Sequence, residues 1–350
     1  VNVAARANEG VAGSLGNRAS DITTSVGLHF TGGTLQYTGS TAQSTDRQIR
    51  MLHGVKTFID ASGTGGGTMS FTSSVANVNQ WDTPGARTLT LTGSNTGNNT
   101  FGLNIQSHTT GQTTLVKSGA GRWDITNSHN SDAVSGLNNT FGGYGGGTVI
   151  SGGTLGFASN AIGGGVVDFT GSATLNWNAG NTQDISSGTG GGVARSLRIA
   201  DGVTATFDTG GNDVTLGSTI AVGAAKTGAL TKTGAGMLTL SGANTYTGAT
   251  TVNAGTLRNG SATTFNSNGA LVMAGTGVFD LNGFNASFTN VSGAVNTATI
   301  TDNAAGAGNS TLAIGAQAST VSALILDGAS RMAAVTLKNS NGGTTPFAFA

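Results

Sequence analysis

The stretch Gly228–Leu257 reads GALTKTGAGMLTLSGANTYTGATTVNAGTL, with no proline, almost no charge, and glycine or threonine at nearly every other step. Within it Leu238, Thr239 and Leu240 alternate apolar and polar, the period of a strand that buries one face. Glycine and asparagine stand between such runs, where turns need positive φ. Short alternating strands between glycine corners can zigzag as hairpins or wind as a coil. Charge decides between the two. In a parallel coil each residue stacks on its counterpart in the turn below, and stacked like charges repel. A coil therefore favours a chain poor in charge, and this stretch is one.

The whole chain shares the bias. Of its 350 residues 60 are Gly, 2 are Pro and 0 are Cys. Collagen would need Gly at every third position and much Pro, and neither is present. Disorder would need low hydrophobicity and high net charge, whereas 37% of residues are hydrophobic and the net charge is +0. Only 9% are charged, and Glu9 is the only glutamate. Thr, Ser and Asn supply the polarity, which disfavours helix and favours strand. The chain reads as all-β.

The balanced, sparse charge argues against a nucleic-acid partner, which needs a basic stripe. No apolar run approaches the ~18 residues of a membrane-spanning helix. Zero Cys excludes disulfides and thiolate chemistry. A first residue of Val fits an exported chain after signal-peptide removal.

Two blocks repeat. Leu115–Ile125 aligns with Leu230–Leu240, Asn139-Thr140-Phe141 with Asn244-Thr245-Tyr246, and Thr148–Leu155 with Thr250–Leu257. The first block is longer, and its extra residues around SHNSDAVSG read as a loop pushed out of the frame. Gly-Gly-Thr-Leu also recurs at 32–35 and 152–155. These features predict a right-handed parallel β-helix, or β-solenoid: an elongated single domain with loop insertions. Residues 26–343 form it, with repeat blocks near 115–155 and 230–257. A rung of about 20–25 residues would give roughly 14–17 turns over about 70–80 Å.

LTKTGAGMLTLSGANTYTGATTVNAGTL resembles the autotransporter-associated β-strand repeat, found in the passengers of secreted bacterial surface proteins. FDLNGFNASFTNVSGA at 279–294 and LNWNAGNTQDISS at 175–187 resemble segments that flank it. The resemblance implies a secreted or surface-displayed β-helix of the kind used in adhesins and stalks. It says nothing of an activity. The chain shows no run of amphipathic strands that would make the terminal membrane barrel of that family.

Chemistry is harder to find. Glycoside hydrolysis needs two facing carboxylates. The best acidic group is Asp201, Asp208 and Asp213, which read as turn-forming residues beside glycine. His29, His53, His108 and His129 lack metal-ligand spacing. No nucleophile elbow, P-loop or dinucleotide turn occurs. Trp81, Trp123, Trp177, Tyr37, Tyr144 and Tyr246 suit a core or its rim better than a sugar platform. The sequence thus predicts no catalytic residue, cofactor or metal. Its densest charge, Asp46, Arg47, Arg50, His53, Lys56 and Asp60, reads as a solvated surface loop.

A solenoid must also protect its two end rungs, whose open edges recruit strands. Residues 1–25 lack the repeat, and 344–350 form a short tail. Either segment is a candidate for strand addition to a second copy, through Val1 and Val3 or through Phe347 and Phe349. The first functional expectation is therefore a self-associating extracellular filament, sheath or matrix subunit. The second is an adhesin binding glycan or host surfaces. The third is a polysaccharide-acting enzyme.

Overall fold

A computed structural model describes residues 28–47, 49–72, 85–105, 107, 111–128, 144–190, 193–265, 269–293, 297–306 and 308–315. It also gives the strands Asn2–Val3, Thr320–Val321, Leu324–Ile325, Met332–Leu337 and Ala348–Phe349. The chain falls into two compact units. One comprises Val1–Asp168, Ala173–Asn181 and Gly188–Arg195. The other comprises Phe169–Ser172, Thr182–Ser187 and Ser196–Ala350. Both are parallel β-helices.

In the first unit each coil lays a strand on one sheet, turns a glycine corner, and lays the next strand on a second sheet. Thr113–Lys117, the corner 118–121 and Arg122–Ile125 make one such coil. Thr148–Ile150 and Thr154–Phe157 make the next. The strands pair in parallel: Leu115 stands on Thr148 and Trp123 on Leu155. Alternation sends every second side chain inward. One inward column runs Thr45, Phe71, Phe101, Ile125, Phe157 and Trp177. Its rings touch, with Phe71 and Phe101 centroids 5.5 Å apart and Phe157 and Trp177 5.2 Å apart. Each fully buried large apolar side chain contributes roughly 1.5–3 kcal/mol. An antiparallel pair, Thr189–Gly190 on Val193–Ala194, interrupts this pattern.

The second unit winds on shorter coils. Leu230, Thr250, Leu271 and Val291 stand in register, so successive coils recur every 20 or 21 residues. A second column, Val214, Leu238, Leu257, Phe279, Ile300 and Ile325, lines the neighbouring sheet. Phe279 and Phe288 pack against Phe265 at centroid distances of 5.2 and 5.6 Å.

The corners explain much of the glycine. Gly119 and Gly234 occupy equivalent places in the two blocks at φ +68° and +79°. A Cβ on Gly119 would lie 2.6 Å from the carbonyl oxygen of Gly93 in the adjoining coil. Only a residue without a side chain meets both demands.

One repeat assignment needs correction. Thr148 and Thr250 open equivalent strands, and four residues earlier stand Tyr144 and Tyr246. Tyr144, not Phe141, is therefore the counterpart of Tyr246. The inserted loop shifts the apparent match by three residues. Phe141 and its neighbours lie outside the described residues.

The charge-dense segment is also not a loop. Gln43–Thr45, Ile49–Met51 and Lys56–Ala61 are strands of the coil. Ile49, Met51, Ile59 and Ala61 point inward and draw it into the ladder. Arg47 is consequently fully buried and Arg50 half-buried, in register with His29. His53 and Lys56 are exposed, at a turn and at a strand start.

Candidate functional site

The predicted site residues divide. Val1 and Phe347 lie outside the described residues. Val3 pairs with Tyr37 and Phe349 with Val321, so both ends add a strand to the chain's own sheets. Trp123, Trp177, Tyr37, Tyr144 and Tyr246 are buried, as a core role requires. Trp81, His108 and His129 lie outside the described residues, and His29 is exposed.

The three aspartates act as turn anchors. Asp201 accepts backbone N–H bonds from Ala225 (2.9 Å) and Thr227 (3.1 Å). Asp208 accepts from Gly210 (2.9 Å), and Asp213 from Met237 (2.9 Å). Asp201 and Asp213 thereby tie one coil to the next. Among the described residues no three His, Asp or Glu side chains gather to hold a metal ion. Nor is any helix among them long and apolar enough to cross a membrane.

The outer faces carry an arrangement that the sequence did not reveal. Outward from the second sheet of the first unit stand Ser44, Ser70, Thr100, Asp124, Gly156 and Asn176 in one column. Arg122 bonds Asp124 through both Nε (3.0 Å) and Nη2 (2.6 Å). The same Nη2 reaches Asn176 Oδ1 at 2.9 Å, two coils on. Gly156 lies between them in register and leaves the room: a Cβ there would sit 1.8 Å from Asp124 Oδ1 and 2.9 Å from Arg122 Nη2.

The second unit builds the same node by other means. Its outward column is Thr215, Thr239, Arg258, Asp280 and Thr301. Thr154–Phe157 and Thr256–Asn259 are equivalent strands, so Arg258 stands where the first block has Gly156. Arg258 Nε bonds Asp280 Oδ2 at 3.0 Å. Asp280 Oδ1 is held by the backbone N–H groups of Asn282 (3.0 Å) and Asn303 (2.9 Å). The acids are nearly or fully buried. The arginine side chains are 26% and 32% exposed. Each node thus leaves part of an arginine side chain, held by its acid, open to solvent. Such a face can donate hydrogen bonds to carboxylate or hydroxyl groups of a partner.

Comparison with known proteins agrees with this architecture. The Passenger-associated-transport-repeat family matches residues 115–156 and 230–258, the blocks that carry Arg122, Asp124 and Arg258. A stretch of 132 residues is 36% identical to the adhesin BmaC autotransporter of Brucella suis biovar 1 (strain 1330). It amounts to 38% of this chain and 4% of that much longer protein. No solved structure matches. The resemblance of the repeat to autotransporter passengers is borne out.

Proposed function

We propose that the chain is a passenger-type segment of a bacterial surface adhesin: a β-helical scaffold, secreted or held at the cell surface, that offers its outer face to glycans or host surfaces. The observation that carries this reading is the coincidence of two passenger repeats with 36% identity to an adhesin. The arginine nodes support it, since each leaves part of a charged side chain open on the outer face of the scaffold. The reading is non-enzymatic. Its strongest acidic candidates, Asp201, Asp208 and Asp213, are committed to backbone N–H groups. The test is binding of the purified chain to glycan arrays and to cell surfaces. Saturable binding by the folded chain, lost on unfolding and weakened by Arg258→Ala, is expected. Absence of saturable binding on every surface would sink the reading.

Self-association into a filament is the second reading. Asn2–Val3 and Ala348–Phe349 each end the order of their sheet, and a second copy could add a strand beyond them. Particle mass in solution separates the two: a single monomer mass is expected of the adhesin reading, and a growing series of masses of the filament.

A further inference from the structure

Lys117 and Lys232 point into the coil. Lys117 stands in register between Leu91 and Ile150, and Lys232 between Phe207 and Val252. Both lysines are fully buried. A charge within an apolar column is costly unless its protons are all bonded. Here they are. Nζ of Lys117 donates to the carbonyl oxygens of Ser118 (2.7 Å), Gly119 (3.0 Å) and Gly152 (2.9 Å). Nζ of Lys232 donates to those of Thr233 (2.7 Å), Gly234 (2.8 Å) and Ala254 (3.1 Å). In each case two acceptors belong to the lysine's own corner and the third to the corner of the next coil. Asp208 and Asp213 act on Lys232 only through space.

The need for these donors comes from the corner itself. A glycine turn stacked on its neighbour points carbonyls inward, away from water. Two other corners meet that need with neutral groups. Asn95 Nδ2 donates to Gly63 (2.8 Å) and Gly67 (3.2 Å), and Trp123 Nε1 to Thr92 (2.8 Å). At the lysine corners three carbonyls converge near 3 Å on one point. Such a cage of carbonyl oxygens replaces the hydration shell of a weakly hydrated monovalent cation.

We propose that each of these corners is a monovalent-cation site built from backbone carbonyls, which the protein fills with its own lysine to pin successive coils in register. At neutral pH, where the experiment below is run, the lysine is a tethered ammonium ion. Removing the side chain at Ala length leaves the cage for a free cation of the same size and hydrogen-bonding capacity, ammonium or methylammonium. Tetramethylammonium, which has no N–H, does not fit it.

The experiment uses the full chain carrying Lys232→Ala or Lys232→Met. Hydrogen exchange is followed at Asn253 and Thr256, whose amides bond Lys232 and Gly236 across the same two coils. In tetramethylammonium chloride both variants should exchange there about tenfold or more faster than the parent. Ammonium or methylammonium chloride at equal ionic strength should restore slow exchange in Lys232→Ala. It should leave Lys232→Met unchanged, because the methionine stem blocks the cage. Parent-like exchange in Lys232→Met, or equal behaviour of Lys232→Ala in the two kinds of salt, overturns the proposal. If Lys232→Ala does not fold in tetramethylammonium, refolding yield in ammonium replaces exchange as the readout. Equal failure in both salts then counts against the site.

Discussion

The hydroxyl of Tyr246 lies 2.8 Å from that of Thr250, within one coil and away from water, and Tyr144 meets Thr148 in the same way at 2.7 Å. Each pair closes the connection that leads into a new strand. Tyr246→Phe keeps the ring and leaves the Thr250 hydroxyl with one bond fewer. A loss of about 1–2 kcal/mol is expected, read from the urea midpoint. Tyr144→Phe should cost a similar amount. The double variant should show the sum, since the pairs lie in different coils.

Stability should rise, then fall, through the alkaline range. Burial lowers both Lys117 and Lys232 from 10.5 to about 8. Between those values the unfolded chain binds more protons than the folded one, so stability grows as pH rises. The slope is roughly 1.4 kcal/mol per pH unit for each lysine. Below pH about 8 that contribution is absent. Burial raises Tyr246 from 10.0 to about 12, and Tyr144 in the same direction. Their contribution is present below the ordinary value and is lost as pH rises through the folded one. Urea midpoints should therefore peak near pH about 10. In Lys117→Met/Lys232→Met the rising limb should be absent and the falling limb kept.

Gly156→Ala should disrupt the guanidinium node. Its Cβ would occupy space held by Asp124 and Arg122, and a loss of about 1–3 kcal/mol follows. In an Arg122→Ala background the same substitution should cost less, because one of three obstacles is gone and Asp124 Oδ1 and Asn178 Oδ1, at 1.8 and 2.8 Å from the new Cβ, gain room to move. A double-mutant cycle on thermal or urea unfolding measures the difference. Strict additivity would show that the node is not a unit.

Asn99 binds three coils. Its Oδ1 accepts the N–H of Met69 at 2.8 Å on one side, and its Nδ2 donates to the carbonyl of Arg122 at 2.9 Å on the other. Asn99→Leu leaves both backbone groups buried without that partner. A cost of about 2–5 kcal/mol is expected. The lost protection should appear at Met69 in hydrogen exchange.

Gly234→Ala tests the corner. At φ +79° the new Cβ would lie 2.4 Å from Asp208 Oδ1 and 2.5 Å from the nitrogen of Gly210. Backbone strain and collision both act, so a loss above about 2 kcal/mol is expected. Gly202→Ala has positive φ but open space around its Cβ, and should cost less. Calorimetric midpoints of the two variants decide the matter.

The winding of the chain was legible because its signals are local. Leu238-Thr239-Leu240 and the glycines after Lys117 and Lys232 carry strand and corner within a few residues. In segment 43–61 charge density argues for a loop and alternation for strands, and alternation wins. Ile49-x-Met51 and Ile59-x-Ala61 already marked inward positions, and Arg47 was drawn in with them. Lys117 and Lys232 were also readable in principle. Each follows a leucine by two residues, which places it on the buried face. The nodes were not readable. Arg122 meets Asn176 across 54 residues, and Arg258 meets Asp280 across 22. Which residues adjoin depends on the length of every coil between them, and the inserted loops make that length irregular.

The recurrence of Leu230, Thr250, Leu271 and Val291 at steps of 20 or 21 residues has an evolutionary consequence. A duplication or excision of one whole step hands each surviving strand a neighbour of the same direction and parity. A change of half a step leaves the flanking strands on mismatched sheets, and an odd slip turns their apolar side chains outward. The strand-bearing frame of such chains can therefore grow or shrink only by whole coils, whereas loops inserted between the strands are free to vary in length.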